Sequence, residues 1–425
     1  MNTARPKVLI IGSGAREHAL AQALSRSARD PELLAAPGNP GIAALARTYP
    51  DVKADDVDAI VQLAATENPE LVVIGPEVPL VKGVADRLTE HGISVFGPSR
   101  AAARLEGSKA FCKEVMAAAG VPTASHTVVK SVEQGITAVA ARYPAVIKAD
   151  GLAAGKGVVI AADAQAAREA LTEFLVKHKF DTTQVVVEEY LQGQECSLFA
   201  LCDGVNAIPL QSAQDYKRIH DGDRGPNTGG MGSYSPMPNI DSSRAAAITA
   251  QIHQPLVDEM RRRGTPFHGL LYAGLMLTPA GPKVIEFNVR FGDPETQALL
   301  PRLRSDLLGL LEAATRTGGL KGVQLSWDQR ASVTLVLASH GYPESSRSGD
   351  LIAGTERLGP ELVLTHAGTA RDEQGRLRTA GGRVLAVTAL GPDLPSARAN
   401  AYAGAGEINF DGSQMRTDIA AGVRA

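Results

Sequence analysis

The sequence predicts a multidomain protein of combined α/β and α+β class, with an N-terminal doubly wound parallel sheet and a small C-terminal α+β domain. Two observations carry this prediction. Short apolar strands alternate with helices over the first hundred residues, which is typical of a parallel sheet covered by helices. After Gly120-Val121-Pro122 the pattern becomes that of an α+β unit, and after Ala331 strands return with glycine-rich turns. A chain of 425 residues is also too long for one hydrophobic core. The expected domains are 1–122, 123–192, 193–328 and 329–425.

The N-terminal domain is predicted from short strands at 8–11, 71–74 and 94–96 and from helices at 17–27 and 80–90. The turn 12–18 leaves the first strand and begins the first helix. Its small residues let the backbone approach an anion, and the free N–H groups of the helix N-terminus point toward it. Glu17 occupies the third glycine position of the dinucleotide fingerprint, so a monophosphate or no ligand fits better than a dinucleotide.

The second domain is predicted from strands at 145–148, 158–161 and 185–189 and a helix at 164–178. A glycine-rich loop at 151–157 joins the first two strands and carries Lys156 between glycines. This loop is not a Walker A motif, because its lysine is followed by glycine instead of serine or threonine. It could still close over phosphates as a lid, or it could be a plain mobile hairpin.

A polar, glycine-rich connection covers 212–238, and its length favours a functional role over an accidental one. Asp215 and Lys217 precede a run of small residues at 225–232, whose crowded backbone amides suit a carboxylate or phosphate. A bare loop is the alternative. A helix at 241–263 and a strand at 271–277 are predicted next.

The run 283–297 contains the most informative spacing in the chain. Glu286, Asn288 and Arg290 lie two residues apart, so their side chains share one face of a strand. The first two offer hard oxygen ligands of the kind that Mg²⁺ takes, and the guanidinium can bind phosphate or carboxylate oxygens. Asp293 is predicted as the cap of the following helix, with Pro294 at its first position. An ordinary strand with a polar face is the alternative for Glu286 and Asn288 alone.

Composition limits the classes of partner. A net charge of −3 and an aromatic content of 4% argue against nucleic acid or an anionic membrane as a partner. The three cysteines show no metal-binding spacing and are expected to be buried thiols. We find neither a signal segment nor an apolar run near the roughly 20 residues that span a bilayer, and therefore expect a cytoplasmic location.

A lysine-bearing lid, a hinge that could line a nucleotide base, an anion loop and an acidic metal strand follow one another in one series, and that series resembles the ATP-grasp fold. From Lys7 to about Asp418 the chain resembles more narrowly the phosphoribosylamine–glycine ligase family. The motifs that carry this resemblance are 14–18, 37–39, 75–77, 105–109, 147–157, 225–232 and 291–297. Ala15 and Tyr216 depart from the family pattern, which usually has glycine and histidine there, and 419–422 also differs.

The resemblance implies that ATP, glycine and 5-phospho-β-D-ribosylamine give ADP, phosphate and glycinamide ribonucleotide through glycyl phosphate. It implies an N-terminal domain that binds the ribosylamine, an ATP-grasp lid (123–192) and an ATP-grasp core (193–328). Catalytic roles would fall to Arg290, Asp215 and Lys217, and Mg²⁺ or Mn²⁺ would bind Glu286 and Asn288. ATP, the co-substrate, would contact Lys109, Lys148, Lys156, Glu188, Leu191 and Glu195. The other substrates would contact Gly12, Gly14, Arg16, Asn39, Glu77 and Asp293. The partners expected are these small molecules, and the chain is expected to be a monomer or a weak homo-oligomer.

Two rival interpretations remain open at the level of sequence. Another ATP-grasp carboxylate–amine ligase would use formate or bicarbonate in place of glycine. A regulatory nucleotide-binding protein would bind ATP without amine-dependent formation of ADP.

Overall fold

The computed structural model describes residues 5–140, 142–153 and 156–423. The N-terminal domain is built on a five-stranded parallel sheet of order β3-β2-β1-β4-β5. Its elements are β1 (Lys7–Gly12), α1 (Ala15–Leu24), β2 (Glu32–Pro37), β3 (Arg47–Thr48), α2 (Val57–Glu67), β4 (Leu71–Ile74), α3 (Glu77–Lys82), α4 (Val84–Glu90), β5 (Val95–Phe96), α5 (Arg100–Gly107) and α6 (Lys109–Ala119). The predicted parallel sheet is confirmed. Its strand order reverses between β1 and β4, the place where open α/β sheets bind ligands.

One helix of this domain, predicted as continuous, is divided in the structure. The segment 80–90 belongs to two helices, α3 and α4, that meet at Gly83. Gly83 has a φ of 89°, a left-handed conformation that ends α3.

The second domain is a four-stranded antiparallel sheet of order β6-β9-β7-β8, and two helices pack on it. Its elements are β6 (His126–Val129), α7 (Val132–Val139), β7 (Ala145–Ala149), β8 (Val158–Ala161), α8 (Ala164–Leu175) and β9 (Val185–Glu189). Ile147, Val187, Leu171 and Phe174 form part of the core between the sheet and the helices. The loop predicted as a lid joins β7 to β8, and its residues 154 and 155 lie outside the described residues.

The third domain contains a four-stranded antiparallel sheet of order β11-β10-β16-β17. Its elements are β10 (Gln194–Asp203), β11 (Ala207–Pro209), β12 (Gln214–Asp215), β13 (Arg218–His220), β14 (Arg224–Asn227), β15 (Gly232–Ser235), α9 (Ser242–Arg262), β16 (His268–Thr278), β17 (Gly281–Asn288), α10 (Glu295–Leu299) and α11 (Leu307–Thr315). Strand β17 is the edge that faces the second domain, because Lys148 of β7 donates from Nζ to the carbonyl of Ile285 at 2.8 Å.

The C-terminal sheet has the order β12-β15-β18-β22-β19, so two of its strands come from the preceding domain. The remaining elements are β18 (Ala331–Ala338), β19 (Leu362–His366), β20 (Thr369–Arg371), β21 (Leu377–Thr379), β22 (Arg383–Gly391) and α12 (Leu394–Glu407). Short 3-10 helices lie at Ile42–Ala44, Lys179–Asp181, Leu300–Arg302 and Thr355–Arg357.

The segment 212–238 is therefore not the irregular connection that its composition predicted. It contains four short strands, of which β12 and β15 pair with each other and β15 also pairs with β18. Pairing with a strand a hundred residues later leaves no local pattern, because its partner is distant in sequence. This pairing holds Asp215 in a sheet.

The three cysteines are free and buried, as predicted. Across the part of the chain that the structure describes, we find no helix that combines the length and the apolar character needed to cross a membrane.

Candidate active site

A buried carboxylate joins the second domain to its neighbours. Glu188 on β9 pairs through Oε2 with Nζ of Lys148 at 3.0 Å, and through Oε1 with Nζ of Lys113 on α6 at 3.1 Å. All three side chains are at most 5% exposed. Burial lowers the pKa of Lys113, and the charge of Glu188 opposes that shift. The Glu188 carboxylate is thus paired with two ammonium groups. The predicted contact with the adenine would therefore come from the backbone at the end of strand β9 and not from a free carboxylate.

Lys109 ties the base of the glycine-rich loop to α6. Its Nζ donates to the carbonyl of Gly151 at 2.9 Å, and the Asp150 carboxylate accepts from the Ser108 hydroxyl at 3.1 Å. Burial lowers the pKa of Lys109, while the nearby carboxylate of Glu286 acts in the opposite direction. Lys109 and Lys148, both predicted to contact ATP, therefore lie near strand β17.

The polar face of β17 is arranged as the alternation predicted. Phe287 and Val289 are buried, whereas Glu286, Asn288 and Arg290 are only partly covered. Arg290 lies two residues beyond Asn288, the last residue of the strand, and its Nη2 donates to Oδ1 of Asn288 at 3.4 Å. The three side chains thus line one surface.

Glu286 lies among cations. Burial opposes its ionisation, but Lys217, Lys148, Lys109 and Arg290 together hold the pKa of Glu286 below its usual value. Nζ of Lys217 is 3.9 Å from Oε1 of Glu286. Among the described residues no side chain or backbone group hydrogen-bonds the Glu286 carboxylate, which leaves its oxygens available to a ligand.

Two carboxylates hold the guanidinium of Arg290. Glu77 at the start of α3 is 3.3 Å from Nε, and Glu106 on α5 is 3.2 Å from Nη2. Burial lowers the pKa of Arg290, but Glu106 and Glu77 reverse that effect and raise it overall. Glu106 also accepts the N–H of Val289 at 2.8 Å. Burial raises the pKa of Glu106 to about 7, against the opposing charge of Arg290. These contacts fix the direction in which Arg290 extends from the strand.

Asp215 and Lys217 lie on either side of Tyr216 at the end of β12. Oδ1 of Asp215 is buried and has no hydrogen-bond partner among the described residues. Burial, reinforced by the charge of Glu295, raises the pKa of Asp215 well above its usual value. Lys217 has a raised pKa chiefly because Glu195 is 3.2 Å away. Glu195 is thus positioned by Lys217, and its side chain stays 47% exposed.

An open cavity of about 420 Å³ lies where the N-terminal turn, the lid loop and the C-terminal domain meet. Its walls include Ser13, Gly14, Lys156, Asp293, Tyr342, Ser346, Ala367, Gly368, Gly382 and Arg383. The lysine of the lid loop crosses to this cavity, where its Nζ is 3.5 Å from the carbonyl of Pro343. Lys156, predicted to contact ATP, is therefore placed by the structure at the cavity that also holds Gly14 and Asp293.

Glu17 organises the N-terminal turn and was not predicted as a site residue. Its Oε2 accepts the N–H of Gly14 at 2.6 Å, and its Oε1 pairs with Nε of Arg16 at 2.5 Å. A Cβ on Gly75 would lie 2.0 Å from Oε1 of Glu17, so the loop after β4 can approach only as glycine. The Glu17 side chain thus holds the turn after β1 against the loop after β4.

Two predicted substrate residues are used for structure. Asn39 donates from Nδ2 to the carbonyls of Ser13 and His366, both at 2.8 Å, and its Oδ1 accepts from the backbone of Gly41 and Ile42. Arg16 donates to Glu17 and to the carbonyl of Phe291, and is buried. In this structure their side chains position loops around the cavity.

Asp293 does not cap the following helix, contrary to the prediction. The N-cap of α10 is Pro294, without a side-chain cap. The Asp293 carboxylate pairs with Arg383 at 3.2 Å and accepts from Nε2 of Gln297 at 2.7 Å. Arg383 comes from the C-terminal domain, more than 80 residues later, so no local pattern could indicate this pairing.

Two four-stranded antiparallel sheets are linked by the buried Lys148, which donates to the edge strand β17 that carries Glu286. This arrangement is that of the ATP-grasp enzymes. The family comparison then narrows the class. The chain matches the phosphoribosylglycinamide synthetase N domain at residues 6–106, its ATP-grasp (A) domain at 107–296 and its C domain at 332–422. The chain belongs to the phosphoribosylglycinamide synthetase family.

Individual relatives agree with this family. The chain is 54% identical over 421 residues to a phosphoribosylamine–glycine ligase of Streptomyces coelicolor, covering 98% of this chain and 99% of the relative. It is 48% identical over 421 residues to a chloroplastic phosphoribosylamine–glycine ligase of Arabidopsis thaliana, covering 95% and 78%.

Solved structures show the same architecture. The crystal structure of phosphoribosylamine–glycine ligase from Thermotoga maritima superimposes with a TM-score of 0.82 at 33% identity and covers 97% of this chain and 100% of that one. The biotin carboxylase domain of a Hydrogenobacter thermophilus 2-oxoglutarate carboxylase has a TM-score of 0.72 at 17% identity, covering 96% and 91%, and shares the fold.

Proposed function

We propose that this protein ligates glycine to 5-phospho-β-D-ribosylamine in purine biosynthesis, with ATP converted to ADP and phosphate. The observation that carries the proposal is the match of the chain to the N, ATP-grasp and C domains of one family whose named relatives are phosphoribosylamine–glycine ligases. The product would be glycinamide ribonucleotide.

The first chemical step activates a poor acylating agent. A carboxylate oxygen of glycine attacks the γ-phosphorus of ATP, the bond to the bridging oxygen breaks, and ADP leaves glycyl phosphate behind. Such a transfer needs positioning and charge neutralisation more than a protein nucleophile. Lys109, Lys148 and Arg290 would supply the positive charge, because all three lie around Glu286 in the structure.

The second step forms the amide. The ribosylamine nitrogen attacks the acyl carbon of glycyl phosphate, the carbon–oxygen bond to phosphate breaks, and the nitrogen loses a proton. Glu77 lies 3.3 Å from Arg290, so an amine beside Glu77 would be close to the activated acyl group. Asp215, whose Oδ1 is buried without a hydrogen-bond partner among the described residues, would contact the ammonium or the amine of a substrate. Because an acyl phosphate hydrolyses readily, the loop with Lys156 would have to exclude water.

A divalent cation, Mg²⁺ or Mn²⁺, fits the residues of β17. Glu286 stays ionised and has available oxygens, and Asn288 adds a neutral oxygen on the same face. Mg²⁺ commonly binds one or two protein oxygens and fills its other positions with phosphate and water. When bound, the cation would neutralise charge on the phosphates.

The nucleotide would lie between the second and third domains. The end of β9, with Glu188 and Leu191, would line the adenine, and Glu195 would bind the ribose hydroxyls. The phosphoribosyl group would occupy the cavity between Gly14 and Asp293. The domain boundaries, a cytoplasmic location and a monomeric or weakly oligomeric state belong to the same proposal.

The test is release of ADP in the presence of phosphoribosylamine generated in situ. We expect release that requires glycine and is not supported by formate or bicarbonate. Release with either of those acids in place of glycine would favour another ATP-grasp ligase. ATP binding without amine-dependent release would favour a regulatory nucleotide-binding protein.

A further inference from the structure

Two side chains of the N-terminal domain hold a backbone position of the C-terminal domain from both sides. The N–H of His366, the last residue of β19, donates to Nδ1 of His18 on α1 at 2.8 Å. The carbonyl of the same residue accepts from Nδ2 of Asn39 at 2.8 Å. Both polar groups of one peptide position are thus bound by residues more than 300 positions earlier in the chain. We call His18, Asn39 and His366 the interdomain clamp.

The clamp joins two walls of the 420 Å³ cavity. Asn39 Nδ2 also donates to the carbonyl of Ser13 at 2.8 Å, and Ser13 lines the cavity. On the opposite side, Ala367 and Gly368 directly follow His366 and line the same cavity. A single amide therefore sets the distance between the N-terminal turn and the C-terminal loop.

The clamp is closely packed and permits one arrangement. A Cβ on Gly41 would lie 2.2 Å from Cε1 of His18 and 2.7 Å from Cδ2 of His366, so both rings press on that glycine. The ring centroids of His18 and His366 are 5.5 Å apart. Nδ1 of His18 accepts a hydrogen bond only as the neutral tautomer with its proton on Nε2. Burial, with the charge of His366 as a second cause, lowers the pKa of His18 to about 3, which agrees with a neutral ring.

We propose that His18 and Asn39 are positioning residues that set the width of the phosphoribosyl cavity and thereby its affinity for the phosphoribosyl substrate and product. Neither side chain needs to touch that ligand, because the bonding capacity of Asn39 and the acceptor of His18 are spent on the backbone. The ligand named here rests on the proposed function. The role of the clamp follows from the hydrogen bonds described above, which do not depend on the proposed function.

Gln22 offers a matched control. It lies one turn after His18 on the same helix, and its Nε2 donates to the carbonyl of Leu364 on β19 at 2.9 Å. The same Nε2 is 3.4 Å from Nε2 of His18, on the side of the ring away from the clamp bond at Nδ1. This bond joins the same helix to the same strand, but Leu364 lies outside the cavity walls. Loss of the Gln22 bond should weaken the domain contact without moving Ala367 or Ser13.

The experiment measures the dissociation constants of glycinamide ribonucleotide and of ATP by isothermal titration calorimetry at neutral pH, for the wild type, His18→Leu, His18→Asn and Gln22→Leu. His18→Leu leaves the His366 N–H unpaired, which should weaken ribonucleotide binding by about 10-fold. ATP binding should stay within about 2-fold, because the adenine and ribose contacts proposed above lie between the second and third domains, away from the clamp. His18→Asn can place an amide oxygen near the position of Nδ1 and should recover most of the affinity, while Gln22→Leu should leave it within about 2-fold.

Three results would overturn the clamp: unchanged ribonucleotide affinity in His18→Leu, an equal loss of ATP affinity, or a loss in Gln22→Leu as large as that in His18→Leu. If His18→Leu fails to fold, a loss of about 10-fold in folded His18→Asn, which keeps an acceptor, would also overturn it. A wild-type protein that binds ATP but not glycinamide ribonucleotide would contradict the proposed function, and the ligand assigned to this cavity would fall with it.

Discussion

Replacing Glu188 by glutamine should destabilise the second domain far more than the same change at its neighbour Glu189. The carboxylate of Glu188 pairs with Lys113 and Lys148 at 3.1 and 3.0 Å, and all three side chains are at most 5% exposed. Glutamine keeps the shape but leaves two buried ammonium groups without a counter-charge. Removing one partner of a buried ion pair costs about 3–5 kcal/mol, so we expect a loss in that range.

Glu189→Gln is the control, because Glu189 is the next residue on β9 and pairs with Lys283 at 2.9 Å. These side chains are 39% and 29% exposed, and exposed pairs contribute at most about 1 kcal/mol. The assay is urea denaturation in which hydrogen exchange of the β7 and β9 amides reports the unfolding of the second domain. A local readout is needed because a chain with several domains need not unfold in one step. A loss in Glu188→Gln within about 1 kcal/mol of that in Glu189→Gln would refute the role given to the buried carboxylate.

Three further perturbations test other parts of the site. Glu286→Ala and Asn288→Ala should each reduce Mg²⁺-dependent release of ADP by about 100-fold while thermal unfolding is unchanged; full activity in both would remove the metal assignment. Burial raises the pKa of Glu106 to about 7, so the folded protein holds a proton that the unfolded chain loses near 4.5. The free energy of unfolding of the wild type relative to Glu106→Gln should therefore fall by about 3 kcal/mol as pH rises from about 4.5 to about 7.5, and a difference independent of pH would contradict this. Lys156→Gly should raise the Michaelis constant for ATP without abolishing turnover, and an unchanged constant would argue against a lid that acts on ATP.

Features that depend on local pattern were predictable from the sequence. Strand β9 has the predicted bounds, and the alternation along β17 places Glu286 and Asn288 on one face with Phe287 behind them. Both follow from the two-residue period of a strand, which needs no knowledge of distant residues. The ATP-grasp class followed from the order of such local motifs, and the family matches confirm it.

Features that depend on pairing between distant residues were not predictable. The strand that holds Asp215 pairs with a sheet of the C-terminal domain, and Arg290 is held by Glu106, which lies far earlier in the chain. The sequence does not show that the carboxylate of Glu188, predicted to contact ATP, also pairs with two buried lysines. The same is true of Asn39, whose amide is spent on backbone groups of two domains. Only the folded structure shows which distant groups these side chains contact.

The most direct test of the proposed reaction follows an oxygen atom. If glycine is activated as glycyl phosphate, one carboxylate oxygen of glycine must leave with the phosphate when the amide forms. Glycine labelled with ¹⁸O in its carboxylate, incubated with ATP, Mg²⁺ and phosphoribosylamine, should give one ¹⁸O in each phosphate released, as measured by mass spectrometry. Phosphate without the label, formed together with glycinamide ribonucleotide, would contradict the acyl phosphate route.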